Sequence, residues 1–170
     1  VETARLCEDQ APSTSSEDIG RITYVETITV LDRQPADFGW NDTIVFFSNR
    51  ENFFYDCPEE LVDTAGGILC FPNNYDYADG QQLDEGFLRI TALANYEGWN
   101  GMTEDKYLGQ KAVWSDRLTE GALKILPSIN RIDLERSTLA TDMFTPRTVK
   151  KYTGHLAGAI YGSHRKIRDG

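Results

Sequence analysis

The chain has 170 residues, 40% of them hydrophobic and 26% charged, which is the composition of one globular domain. Lys and Arg number 17 and Asp and Glu 27, so the formal net charge is −10. That acidity disfavours a binder of nucleic-acid phosphates, which needs a basic surface to displace counterions; no apolar run approaches the roughly 18 residues of a membrane span.

In chain order, residues 10–18 are small, polar and acidic, and read as a loop. Arg21 to Leu31 alternates β-branched and aromatic residues with Thr and Glu, the pattern of a strand. Asp32 to Asp37 is a turn or short helical connection. Thr43 to Ser48 is a continuous apolar run, which predicts a strand covered on both faces. Pro58-Glu59-Glu60-Leu61-Val62 has the proline and early acids of a helical turn, with Gly66-Gly67 ending it. Ile68 to Pro72 and Gly86 to Asn95 read as further strands.

Thr103 is placed to cap a helix over residues 104–126, with Glu104 and Asp105 in its first turn and Met102 and Tyr107 at staple spacing. Its apolar stripe is Tyr107, Trp114, Leu118, Ala122 and Ile125, and Pro127 stops it. Ile132 to Phe144 reads as one more strand. Thr145 and Pro146 then open a short helix to about Tyr152, closed by Gly154. The expected fold is a single α+β domain over residues 1–170. Its sheet is mixed, largely antiparallel, and has five or six strands, with one long and one or two short helices packed on it.

Three cysteines, Cys7, Cys57 and Cys70, make an odd set without CxxC spacing. They predict reduced thiols in a cytoplasmic protein rather than a disulfide framework. Cys57, before Pro58 at a predicted helix start, sits where a thiol pKa is lowered. The only histidines, His155 and His164, supply no metal set. No dinucleotide-binding GxGxxG, phosphate loop, HExxH or GxSxG is present. The acidic pairs Glu59-Glu60 and Glu104-Asp105 read as partners of helix dipoles. Eight Phe, eight Tyr and three Trp exceed what one sheet face needs. Most belong to the core, and a minority is expected to line an apolar cleft.

Thr145 to Gly162 spells TPRTVKKYTGHLAGAIYG. This resembles the TPxTxxxYTGxxxGAIYG stretch of FAD-dependent oxidoreductases of the phytoene desaturase, carotenoid isomerase and retinol saturase group. The strand Leu88–Asn95, and Met102–Tyr107 leading into a long helix that ends Ile125-Leu126-Pro127, are similar to the same group. The resemblance covers about residues 85–163. It implies that this chain is the substrate-binding segment of a larger flavoprotein whose nucleotide-binding domain lies elsewhere, as the start at Val1 and the stop at Gly170 also suggest. FAD would be the parent's cofactor, not expected to bind this chain alone, and the isolated chain is expected to be inactive.

The group's chemistry belongs to the flavin, and the protein places an isoprenoid- or carotenoid-like hydrophobic substrate. Tyr24, Phe46, Phe71, Phe144, Tyr152, His155 and Tyr161 are the candidate substrate contacts. Thr145, Gly154, Gly158 and Gly162 are the candidate cofactor contacts, through a helix start and close backbone approach. No residue matches a catalytic acid or base. The expected partners are that substrate, the flavin domain of the same parent chain and, for so greasy a substrate, a membrane surface, with no nucleic acid. The alternative reading is a stand-alone, non-catalytic binding or protein-interaction module.

Overall fold

β-branched residues alternating with Thr and Glu make β1 (Thr23–Leu31) the spine of the molecule. The computed structural model describes residues 22–52, 54–126 and 129–160. The loop expected at residues 10–18 lies outside them. Four further strands complete one sheet: β2 (Ile44–Ser48), β3 (Gly66–Cys70), β4 (Gly86–Ala94) and β5 (Thr138–Phe144). Their spatial order is β2-β3-β4-β1-β5, and every pairing is antiparallel. The helices are α1 (Tyr96–Asn100), α2 (Glu104–Leu123), α3 (Arg131–Ser137) and α4 (Pro146–Thr153). The fold is α+β, with a five-stranded antiparallel sheet and one long helix.

The period of two sorts the sheet into two faces. Val25, Leu31, Leu88, Ile90, Ala92 and Leu69 point to one side and are buried. They join the stripe of α2 (Tyr107, Trp114, Leu118, Ala122), Trp99 of α1 and Leu134 of α3 in one apolar cluster. Ile125, the last residue expected on that stripe, lies beyond the helix and is only half-buried. The helix ends at Leu123 because its last turn tightens: Lys124 N–H bonds Gly121 O and Ile125 N–H bonds Ala122 O.

Three expectations are corrected. β2 is not covered on both faces. It lies at the edge of the sheet, with Val45 and Phe47 half-buried toward the core and Ile44, Phe46 and Ser48 exposed. Residues 58–62 form no helical turn. Val62 bridges Ala94, and Asp63 N–H donates to Leu93 O at 2.8 Å, so this backbone runs extended beside β4. Gly66 and Gly67 therefore open β3 rather than end a helix. A Cβ on Gly67 would stand 2.7 Å from Thr91 O and 3.0 Å from the Phe47 ring, which explains the glycine. Residues 132–144 are not one strand. Residues 131–137 form α3, where the Asn130 side chain accepts from Asp133 N–H at 3.0 Å and Arg131 pairs with Glu135 one turn on.

Candidate functional site

The second face of the sheet is the candidate site. Across the five strands one row reads Phe46, Ile68, Thr91, Glu26, Phe144, and the next reads Ile44, Cys70, Arg89, Ile28, Asp142. Tyr24 opposite Leu93 and Val30 opposite Phe87 extend it at either end. Four interstrand spacings make the row about 19 Å long. Glu26 is buried, Ile68 and Thr91 are half-buried, and Phe46 and Phe144 are 74% and 40% exposed at the two ends. The face thus carries apolar groups on every strand but β4 in these two rows, broken by Thr91, Glu26, Arg89 and Asp142.

One polar group sits in its middle. Glu26 accepts from Arg89 Nε and Nη2, both at 2.9 Å, and from Thr91 Oγ1 at 3.0 Å. The register makes this possible, because Glu26 faces Thr91 directly and Arg89 lies one same-face step away on β4. Burial alone would lower the Arg89 pKa, but the Glu26 carboxylate outweighs it and holds the guanidinium above its ordinary value. At the rim, Cys70 Sγ and Tyr75 Oη lie 3.1 Å apart, and this contact pushes the Tyr75 phenol up.

Tyr24, Phe46 and Phe144 are therefore brought onto one face. Phe71 is not among them: it is fully buried on the core side, its ring 5.4 Å from that of Trp40. Tyr152, 75% exposed near the end of α4, lines a cleft with Phe144 at the end of that row, and His155 follows the helix. Tyr161 and Gly162 lie outside the described residues. Sequence reading passed over Glu26, Arg89 and Thr91. Their signal was a lone acid and a lone base, each inside an otherwise uncharged strand, at positions that share a face once the register is known.

The Thr-Pro helix forms as its residues predict. The Thr145 side chain accepts from Thr148 N–H, and the Thr148 hydroxyl accepts from Thr145 N–H. Thr145 is fully buried, and its hydroxyl shares a 2.8 Å hydrogen bond with Tyr107 Oη. Gly154 ends the helix in the left-handed region, φ 72°, with open space around it. Gly158, at φ 58°, packs against Pro146, where a Cβ would stand 2.5 Å from the carbonyl oxygen. Thr23 Oγ1 donates to Gly158 O at 2.6 Å, which ties this turn to β1. His155 Nδ1 lies 2.8 Å from Ala159 O. Thr145 and Gly158 are thus both held by hydrogen bonds and close packing within the fold.

Cys57 is exposed and no helix starts at it. Partial burial, Asp56 and Glu97 push its thiol pKa up, the reverse of the expected shift. Among the described residues no three His, Cys, Asp or Glu gather into a metal-binding set. No helix among them is long and apolar enough to cross a membrane. No protein-family model matches the chain, and no curated protein matches it significantly.

Proposed function

We propose that the open sheet face is one wall of the substrate site of an FAD-dependent oxidoreductase. The enzyme would be a desaturase, saturase or isomerase acting on an elongated isoprenoid- or carotenoid-like molecule. The observation that carries the reading is the open face, about 19 Å across, on which Phe46, Ile68, Ile44, Ile28 and Phe144 present exposed or half-buried apolar groups on both sides of the Glu26–Arg89 pair. A face of that shape fits a long apolar ligand better than a compact polar one. Large solvent-facing apolar patches on a folded domain mark binding surfaces.

In this reading the wall binds and orients, and the flavin supplies the hydride chemistry from the remainder of the parent chain. Ile28, Ile68, Phe87 and Leu93 hold the substrate chain and exclude water. Arg89, fixed by Glu26, keeps Nη1 without a hydrogen-bond partner among the described residues. It offers a donor to an oxygen on an otherwise apolar molecule. The enzyme would work in the cytoplasm and meet a membrane surface where such substrates partition.

The test is a flavin absorbance spectrum on the protein expressed from its complete reading frame. The reading expects a bound flavin band that an isoprenoid polyene perturbs. A colourless protein that cannot be reconstituted with FAD overturns it and leaves a binding module with an apolar face.

A further inference from the structure

We propose that the cleft between α2, β5 and α4 binds the phosphate group of a phosphorylated small molecule. The cleft has a volume of about 900 Å³ and opens at the β5 edge of the sheet face described above, sharing Asp142 and Phe144 with it. Lys111, Arg147, Lys150 and Lys151 line it, against only two carboxylates, Glu104 and Asp142. Four cations facing two anions leave a surplus of two positive charges in a chain whose net charge is −10. A phosphate ester carries about −1.5 to −2 at neutral pH and matches that surplus. The acidity of the whole chain repels a polyanion such as RNA, which favours a single small dianion.

The donors are placed for such a ligand and incompletely used. Arg147 sits over the Tyr107 ring, its Cζ 4.1 Å from the centroid, and Nη2 donates to the exposed Glu104 carboxylate at 2.9 Å. Its other terminal nitrogen, Nη1, is shielded from solvent and has no acceptor. A charged donor in that state is unsatisfied, and only a stacked ring and one surface bond hold the group in place. Arg147 lines the cleft, and a phosphate oxygen bound there supplies the acceptor that the guanidinium lacks. Lys151 makes no ion pair among the described residues; its Nζ lies 5.2 Å from the Tyr152 ring centroid. Lys111 reaches in from α2, held by Asp142 at 2.9 Å. The cleft is larger than one phosphate, and Phe144 and Tyr152 at its edge suit the organic part of the ligand.

The experiment uses the 170-residue chain itself, so it does not depend on the flavin reading. Amide resonances are followed during titration with inorganic pyrophosphate at low salt. In a second arm the chain is sedimented with phosphatidylcholine vesicles containing phosphatidylglycerol. The proposal expects saturable pyrophosphate shifts at Lys111, Arg147 and Thr148, weakened about tenfold or more by Arg147→Gln. Lys151→Gln, at an exposed position that leaves the fold intact, weakens binding as well, and Lys124→Gln does not. Vesicle binding lost in both cleft variants, without pyrophosphate binding, assigns the phosphate to a lipid headgroup. Binding of neither probe, or binding unchanged in both Arg147→Gln and Lys151→Gln, overturns the proposal.

Discussion

Thr27 is fully buried on the core side of β1, between Ile90 and Met143, and its hydroxyl has no partner among the described residues. An unsatisfied buried hydroxyl costs more than it returns. Thr27→Val keeps the shape and the β-branch, so it is expected to raise stability by about 1 kcal/mol in chemical denaturation. Asp142 presents the opposite case. The Lys111 ammonium, 2.9 Å away, lowers its pKa, with a smaller contribution from the Met143 backbone. A carboxyl whose folded pKa lies below its unfolded value adds stability above the ordinary value of 3.8 and loses it as pH falls through the folded value. Titration of the Asp142 carboxyl is expected to show a midpoint below the usual range, and Lys111→Met returns it upward. Because the Asp142 side chain is 77% exposed, solvent screening keeps the accompanying stability change within about 1 kcal/mol.

At the scale of elements, the turn after α4 rests on one glycine. Gly158 combines a positive φ with direct contact to the Pro146 carbonyl, and its own carbonyl holds Thr23. Gly158→Ala meets both the backbone strain and the clash, and is expected to cost about 1–3 kcal/mol, read as a fall in denaturation midpoint. Gly154→Ala, with open space around it, meets only the strain. The comparison of the two variants separates close packing from conformational freedom. Elements with a local code were legible in the sequence: the Thr145-Pro146 start, the Gly154 stop, the stripe of α2 and the alternation of β1 all act within a few residues. The misreadings came where a distant partner decided. Leu61 and Val62 lie beside β4, so tertiary pairing overrode the helical look of Pro58-Glu59-Glu60. The apolar run of β2 looked like a central strand, and only the sheet order puts it at an edge. The exception is α3, whose Asn130 cap and Arg131–Glu135 pair were local and were masked by the apolar spacing of Ile132, Leu134 and Leu139. The candidate site was half legible. Tyr24, Phe46 and Phe144 share a face, while Phe71, chemically no different, turns to the core and packs on Trp40. The Glu26–Arg89 pair needed the register, since 63 residues separate its members.

At the scale of the whole molecule, the sheet divides the described residues into a helix-covered side that holds them together and an open side rich in apolar groups. The open side contributes little to the core, so it tolerates change that the helical side does not. This gives the account its sharpest prediction. Ile28 is half-buried at the centre of the open face, opposite Arg89 on β4 and the exposed Asp142 on β5, so a carboxylate placed there keeps contact with water and has a cation within reach. Ile28→Glu should therefore fold, and should place a charge on the open face where a long hydrophobic molecule would lie. The deciding measurement is made on the flavin-loaded parent protein: the concentration dependence of the spectral change caused by an isoprenoid polyene, in the wild type and in Ile28→Glu. The account predicts the same flavin content in both and binding weakened about tenfold or more in the variant. Equal flavin content with unchanged polyene binding would contradict the claim that this face is the substrate wall.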